Sequence, residues 1–288
     1  MMAPISFEFF PPKSDDGFAK LSNVSDRLAR FSPEYVSITY GAGGSTRQNT
    51  QNTVKQFVDK GIDTAPHLSF GEDDEATILE LLQHYKDIGV KRLVALRGDR
   101  PSGMSASSAL VYANELVQFI RKHFNDDFLI EVAAYPEIHP EAKSYSKDIY
   151  YLGRKFEAGA HSAITQYFYN PESYFRFIEA CSKQGIDDPI IPGIMPIVGV
   201  DSLLRFSNKC GADIPRWLNY RLQELKDDKE GLKEFSRDVC VDLCQKLLDF
   251  GVPGLHFYTM NQSSHCSAIL EELVDVSAVS SNITKLVS

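Results

Sequence analysis

Chemistry in this chain concentrates in a few polar residues set among apolar ones. Glu8 lies in Ser6-Phe7-Glu8-Phe9-Phe10-Pro11-Pro12, a single acid flanked by aromatic rings. A carboxyl held among Phe7, Phe9 and Phe10 would lose hydration, which raises its pKa and suits it to donate a proton near neutrality. Thr39 stands in Ser37-Ile38-Thr39-Tyr40-Gly41, His67 in Ala65-Pro66-His67-Leu68, and Arg97-Gly98-Asp99 follows Ala95-Leu96. Further along come Ala133-Ala134-Tyr135-Pro136-Glu137, Gln166 in Ile164-Thr165-Gln166-Tyr167-Phe168, and His256-Phe257-Tyr258-Thr259. Each alone has an ordinary explanation. Arg-Gly-Asp is commonly a turn, a lone strand histidine is more often hydrogen-bonded structure than a ligand, and Glu8 could pair with a cation in the interior. No His-x-His pair or close carboxylate cluster accompanies them, which disfavours metal ligation.

Position unites them. Short apolar or β-branched runs alternate along the chain with amphipathic segments, the pattern of parallel βα units. The strand candidates are Ile5–Phe9, Tyr35–Tyr40, Thr64–Phe70, Arg92–Arg97, Leu129–Tyr135, Ala163–Phe168, Ile190–Met195 and Leu255–Tyr258, eight in all. Between them, Ile78, Leu81, Leu82, Tyr85 and Ile88 recur at helical spacing, as do Ala113, Leu116, Val117, Ile120 and Phe124. Asp73 and Asn170 are candidate N-caps, the second followed by Pro171 at the first helical position. Gly61, Gly89, Gly159, Gly185 and Gly251 each precede a strand, where helices commonly stop on a left-handed residue. The long seventh connection should hold extra helices near Ser202–Lys209 and Leu232–Leu248. Eight parallel strands with right-handed crossovers close into one α/β domain, a (β/α)8 TIM barrel over residues 1–288. In a TIM barrel the loops after the strands build the active site, so the polar groups fall on one rim. Polar side chains gathered there point to a polar ligand.

The chain has 288 residues with 43% hydrophobic and 24% charged, enough for a large core without disulfides or metal. Its net charge of -9 argues against nucleic-acid or anionic-membrane partners, although a few local cations can still hold a small anion. The start, Met1-Met2-Ala3-Pro4-Ile5, has neither a basic region nor a long apolar stretch, so a soluble, cytoplasmic protein is expected. Cys181, Cys210, Cys240, Cys244 and Cys266 are scattered and odd in number, which suits reduced thiols. Cys240 and Cys244 share a helical face. Core packing is favoured there over ligation, because no His or Cys partner lies near them in sequence.

The clusters around Glu8, Thr39, His67, Arg97 and His256, with Ala133-Ala134-Tyr135-Pro136-Glu137-Ile138-His139-Pro140-Glu141-Ala142, occur in an order and spacing that resembles the 5,10-methylenetetrahydrofolate reductase family over nearly the whole chain. The resemblance implies an FAD-dependent barrel enzyme working by a ping-pong mechanism. A reduced nicotinamide, NADH in preference to NADPH, gives hydride to the flavin, and 5,10-methylenetetrahydrofolate then accepts it to become 5-methyltetrahydrofolate. Glu8 matches the family's general acid toward the folate nitrogen. Asp99 matches its carboxylate beside the flavin, which favours hydride donation and stabilises a cationic folate. Gln166 matches the pterin-binding residue and Phe206 the ring that stacks on folate or nicotinamide, with Thr39 and Tyr258 as further substrate contacts. For FAD the matching positions are Thr39, His67, Arg97, Gly98, Asp99, Tyr112, Ala113, Ala133, Tyr135, His139, Asp148, Arg154, Lys155 and Ile164; Arg97, Arg154 and Lys155 supply the charge a diphosphate needs. By analogy with the family a homodimer or homotetramer is expected, with no metal.

The family's last block usually reads His-Phe-Tyr-Thr-Leu-Asn-Arg, whereas this chain has Met260-Asn261-Gln262 after Thr259. Gln262 removes a cation that can meet the glutamate tail of folate. The length leaves no room for the regulatory domain of the long members, so inhibition by adenosylmethionine is not expected. Three other readings compete: another flavin-dependent barrel oxidoreductase, a non-catalytic folate- or flavin-binding subunit, and a metal-dependent barrel lyase. Glu8, Asp99 and Gln166 together weigh against the second, and the missing ligand cluster against the third.

Overall fold

A computed structural model describes residues 3–40, 44–70, 74–97 and 112–274. Its elements run β1 (Ile5–Phe9), α1 (Asp15–Leu28), β2 (Tyr35–Ile38), α2 (Gly44–Asp59), β3 (Thr64–Leu68), α3 (Glu75–Asp87), β4 (Arg92–Ala95), α4 (Ala113–Phe124), β5 (Leu129–Ala134), α5 (Tyr145–Glu157), β6 (Ser162–Thr165) and α6 (Pro171–Ser182). Then come β7 (Ile190–Ile191), β8 (Gly193–Ile194), α7 (Val200–Cys210), α8 (Arg216–Glu224), α9 (Lys229–Phe250), β9 (Leu255–Tyr258) and a helix over 263–274. All the strand pairings are parallel, in the order β7-β6-β5-β4-β3-β2-β1-β9-β8. The two ends of that order, β7 and β8, are consecutive in the chain and divided only by Pro192. The sheet is therefore a nearly closed barrel, as the alternation of strands and helices predicts.

The predicted seventh strand is the one that differs. Ile190–Met195 is cut at Pro192, which has no N–H for the ladder. Before the proline, Ile190 and Ile191 pair with Ala163 and Ile164; after it, Gly193 and Ile194 pair with His256 and Phe257. The Gly193 N–H donates instead to Thr165 Oγ1 at 2.9 Å, and the Tyr258 hydroxyl donates to the Thr165 carbonyl at 2.7 Å. A Cβ on Gly193 would lie 2.3 Å from that carbonyl and 2.6 Å from the Tyr258 ring, so only glycine admits the tyrosine across the seam.

Strands two to six end one to three residues earlier than the apolar runs suggest. Leu96 N–H still bonds the Leu68 carbonyl (2.8 Å) and Gln166 N–H the Ala134 carbonyl (2.8 Å), after which the strands part at the barrel mouth. Alternation along each strand sends Phe7, Phe9, Val36, Ile38, Leu93, Ile130, Val132 and Phe257 outward into the layer shared with the helices, where all are buried. Each such side chain contributes roughly 1.5–3 kcal/mol. The inward set includes a small apolar group of Tyr35, Ala65, Val94 and Ile164, with Leu96 packed against it.

Helix stops follow expectation: Gly251 ends α9 at φ 89, and the other four glycines named above are also left-handed. Asn170 caps α6 with Pro171 in its first turn, whereas α3 is capped by Asp74; the expected cap, Asp73, lies outside the described residues. The extra helices predicted before the last strand are α7 and α9. The sequence reading misses α8 between them, whose only buried residues are Leu218 and Leu222. These three helices build a second core with Tyr167, Tyr169 and Met195, residues just beyond the ends of β6 and β8, so the excursion packs on the rim at the C-terminal ends of the strands. Cys240 and Cys244 are fully buried in the main core, and all five cysteines are free thiols. Among the described residues no helix is long and apolar enough to cross a membrane.

Candidate active site

Glu8 occupies an inward position near the end of β1, in register with Ser37 on β2 and Tyr258 on β9. Its side chain is 12% exposed, with Oε2 3.4 Å from His67 Nε2 and 3.9 Å from His256 Nε2. Here the structure corrects the reading of Glu8's surroundings. Phe7 and Phe9 point to the opposite face, and Phe10 is 39% exposed, so the flanking rings do not enclose the carboxyl. Two buried imidazoles do. Burial lowers the His67 pKa, opposed by the Glu8 charge and reinforced by His256, so His67 is neutral at pH 7. Neither Nε2 has a hydrogen bond of good geometry. Burial, then Glu8, raises the Tyr258 phenol well above its ordinary value, keeping it a donor to Thr165.

The loop after β9 grips the backbone at Glu8 and just after it. The Thr259 hydroxyl donates to the Glu8 carbonyl at 2.6 Å, and the Asn261 amide spans Phe10 by accepting from its N–H (2.8 Å) and donating to its carbonyl (2.9 Å). Met260 and Asn261 are both left-handed, at φ 52 and 53, a conformation tolerated by Asn and strained for Met. The sequence reading does not assign either residue to the site. The available signal was an Asn two positions past a strand end, a residue type that both tolerates this backbone and offers a matched amide.

A second group lies on the rim where β4, β5 and α5 meet. Lys155 Nζ donates to the Ala133 carbonyl at 2.7 Å, and burial lowers its pKa to about 8, with Asp148 opposing and Arg97 adding to the fall. His139 packs edge-on against Tyr135 at 4.5 Å, while its backbone N–H donates to Asp148 at 2.7 Å. Burial lowers the His139 pKa as well, against the pull of Asp148. Arg97 reaches the rim from the end of β4 and pairs with Glu141. The structure thus gathers Arg97, Ala133, Tyr135, His139, Asp148 and Lys155. Arg154, the next residue on α5, is 43% exposed and pairs with Glu157 on its own helix. Tyr112 is exposed at the N-cap of α4, Ala113 is buried behind it, and Ile164 faces the barrel interior. Thr39 bonds the Phe9 carbonyl through its N–H at 3.0 Å, beside Glu8. Gly98 and Asp99 lie outside the described residues.

A third group hangs over β6. Gln166 turns its Oε1 back to accept the Tyr167 N–H at 3.0 Å. Phe206 on α7 is 46% exposed and stacks on Tyr167 (5.9 Å, 14°), whose hydroxyl is held by Ser207 at 2.7 Å. A cleft between these parts is lined by Tyr135, Glu137, Gln166, Tyr167, Cys210 and Gly211. Glu137 ties its two walls by accepting from Asp213 N–H (2.7 Å) and the Ser173 hydroxyl (3.2 Å), and burial raises its pKa. Gln262 is exposed just after the Asn261 clamp, on the same rim. The arrangement joins a carboxyl set against two buried imidazoles, a cationic rim and an exposed aromatic face, which suits proton donation to a flat, polar ligand.

The profile of the family described as Methylenetetrahydrofolate reductase matches residues 2–274. A 5,10-methylenetetrahydrofolate reductase of Escherichia coli (strain K12) is 39% identical over 270 residues, covering 93% of this chain and 90% of that protein. In Arabidopsis thaliana, Methylenetetrahydrofolate reductase (NADH) 1 is 35% identical, with 96% of this chain and 50% of its own length covered. Among solved structures, a Clostridium thermocellum protein described as binding two copies of 5-methyl-5,6,7,8-tetrahydrofolic acid superposes with a TM-score of 0.65 over 96% of each chain at 18% identity, a likeness of fold. With a matching profile over nearly its full length and relatives of this identity, the chain belongs to the methylenetetrahydrofolate reductase family.

Proposed function

We propose that the chain is an FAD-dependent reductase that converts 5,10-methylenetetrahydrofolate to 5-methyltetrahydrofolate with hydride from a reduced nicotinamide, NADH in preference to NADPH, in a ping-pong sequence. The observation that carries this reading is Glu8, an acid on the catalytic rim set 3.4 and 3.9 Å from two buried imidazoles, in a chain of this family. Glu8 holds the proton that the folate nitrogen receives as the five-membered ring opens. Gln166 orients the pterin by hydrogen bonding. Phe206, fixed on Tyr167, offers its face to folate or nicotinamide in turn, and Thr39 and Tyr258 border the same space.

The described residues fit an FAD. Arg97 and Lys155 place positive charge beside the β5 rim of an otherwise acidic chain, which suits a diphosphate. Thr39, His67, Tyr112, Ala113, Ala133, Tyr135, His139, Asp148, Arg154 and Ile164 would complete its binding, with Gly98 and Asp99. The chemistry that FAD supplies when bound is hydride carriage between the two substrates. Asp99 would add the negative charge that favours a cationic folate. A cytoplasmic homo-oligomer acting on small molecules completes the reading.

The visible spectrum of the purified chain is the first test. Flavin bands, or their appearance on adding FAD, are expected; a colourless chain that does not take up FAD overturns the cofactor assignment. Stopped-flow reduction by NADH followed by reoxidation with methylenetetrahydrofolate then tests the reaction. Reduction without reoxidation by folate indicates a different flavin oxidoreductase, and folate binding without either half-reaction indicates a binding subunit.

A further inference from the structure

The turn that follows β5 holds an isoleucine in left-handed backbone. Ile138 has φ 76, a conformation that a β-branched side chain resists, and its N–H closes the turn on the Tyr135 carbonyl at 3.2 Å. Pro136 presets the entry to that turn, and Glu137 stands at its far corner. Backbone of this kind persists where its surroundings over-determine it, and it collects at functional sites. One set of restraints lies toward the cationic rim. The His139 N–H donates to Asp148 at 2.7 Å, and the Tyr135 and His139 rings meet edge-on at 4.5 Å. The other set lies toward α7.

Glu137 supplies much of that second set. Its Oε2 accepts from the Asp213 N–H at 2.7 Å, just past the end of α7, and its Oε1 accepts from the Ser173 hydroxyl of α6 at 3.2 Å. Pro140 adds a packing contact: a Cβ on Gly211 would lie 2.8 Å from Pro140 Cγ. Gly211 ends α7 at φ 74, so glycine both makes the stop and admits the proline. Earlier on α7, Phe206 stacks on Tyr167, and Ser207 holds the Tyr167 hydroxyl at 2.7 Å. Tyr167 thus fixes α7 from β6 near the middle of the helix, about which its end can still swing. A hold at that end, made from the β5 turn, removes this freedom.

We propose that Glu137 is a positioning residue that locks the end of α7 to the turn carrying Tyr135 and His139, and so sets where Phe206 presents its face. This rests on the reading of Phe206 as the ring on which folate and nicotinamide stack in turn. Under that reading one clamp serves both half-reactions, unlike Glu8, whose proton concerns folate alone. A displaced ring loses its stacking with the bound substrate and with the transition state alike. Such a loss weakens binding and leaves the chemical step almost untouched.

Variants of the full chain loaded with FAD test it. Glu137→Ala removes both acceptors. In stopped-flow, the apparent Kd for NADH in flavin reduction and for methylenetetrahydrofolate in reoxidation should each rise about five- to tenfold, with limiting rates changed by less than about twofold. Calorimetric titration with 5-methyltetrahydrofolate should show the same loss without turnover. Glu137→Gln is the rescue, because its amide oxygen can accept from Asp213 while its NH2 donates to a turned Ser173 hydroxyl. It should bind both substrates as the parent does. Gly211→Ala pushes α7 off Pro140 with Glu137 in place; it should copy the Glu137→Ala phenotype, and it serves in its stead should that variant fold poorly. Unchanged affinities in both disrupting variants, or limiting rates that fall as far as the affinities, overturn the proposal, and so does a glutamine variant as impaired as the alanine one. Hydrogen exchange read by mass spectrometry tests the clamp whatever the protein catalyses. Amides of α7 should exchange about tenfold faster in Glu137→Ala, with those of α9 unchanged, and an unaltered α7 overturns the clamp. A parent protein that reacts with neither NADH nor folate overturns the functional reading, while the exchange result still decides the clamp.

Discussion

Replacing Asn261 with alanine removes the amide that bridges Phe10, at 2.8 Å to its N–H and 2.9 Å to its carbonyl. Two such bonds contribute about 0.5–1.5 kcal/mol each. A left-handed backbone at φ 53 costs alanine about 1 kcal/mol more than glycine. Phe10 is 39% exposed, so water can reach the freed groups and the loss falls in the lower half of that range, about 2 kcal/mol. For a domain of this size the melting temperature falls by about 4–8 °C. Thermal melts at fixed FAD concentration measure this, with Asn261→Gly as control, since glycine loses the same hydrogen bonds without the backbone penalty. The glycine variant should recover about 1 kcal/mol relative to alanine. Because Glu8 is two residues from Phe10, the folate half-reaction should also slow roughly tenfold, while flavin reduction by NADH is spared. Alanine and glycine variants as stable as the parent, with an unchanged folate half-reaction, would refute the clamp.

Glu8→Gln keeps the size of the side chain but cannot donate an acidic proton, so stopped-flow should show near-normal reduction by NADH and reoxidation by methylenetetrahydrofolate slowed at least about 100-fold. Equal slowing of both halves would count against a folate-specific acid. Gly193→Ala puts a methyl 2.3 Å from the Thr165 carbonyl, so the seam must open and displace Tyr258. A loss of about 1–3 kcal/mol is expected in denaturant melts, and a neutral result would contradict the packing. His67 has a folded pKa below its unfolded value, so the unfolded chain binds its proton first and stability should fall as pH drops through the unfolded value near 6.5. His67→Asn should flatten that part of the pH–stability curve; an unchanged slope would mean that His67 is not held neutral. Gln262→Arg returns a cation to the exposed end of the clamp and should lower the KM for folates with longer glutamate tails by about two- to fivefold, an effect that salt should erase.

Much of the scaffold follows from local pattern. Strand alternation and helical periodicity require neighbouring side chains to face in set directions, and strand-ending polar residues in parallel βα units must meet on one rim. That is why the sequence alone puts Glu8, Gln166 and Tyr258 on the rim. Phe206 and the cationic positions became candidates through the family resemblance, because an aromatic on a helix or a lysine on a surface-like helix carries no local mark of a site. The surroundings of Glu8 were misjudged for a related reason. Residues adjacent in a strand point to opposite faces, so Phe7 and Phe9 could not line its pocket, whereas His67 and His256, 59 and 248 positions away, do. Pro192 broke a strand that composition made continuous, because the missing N–H matters only where a partner strand requires one.

The sequence by itself therefore determined the barrel, the rim and the acid, since these depend on periodicity and on residue type at strand ends. Tertiary structure alone decided which groups face Glu8 and how the loop after β9 holds the backbone beside it. Such contacts are set by sheet register and barrel closure, which bring together residues that the chain keeps far apart.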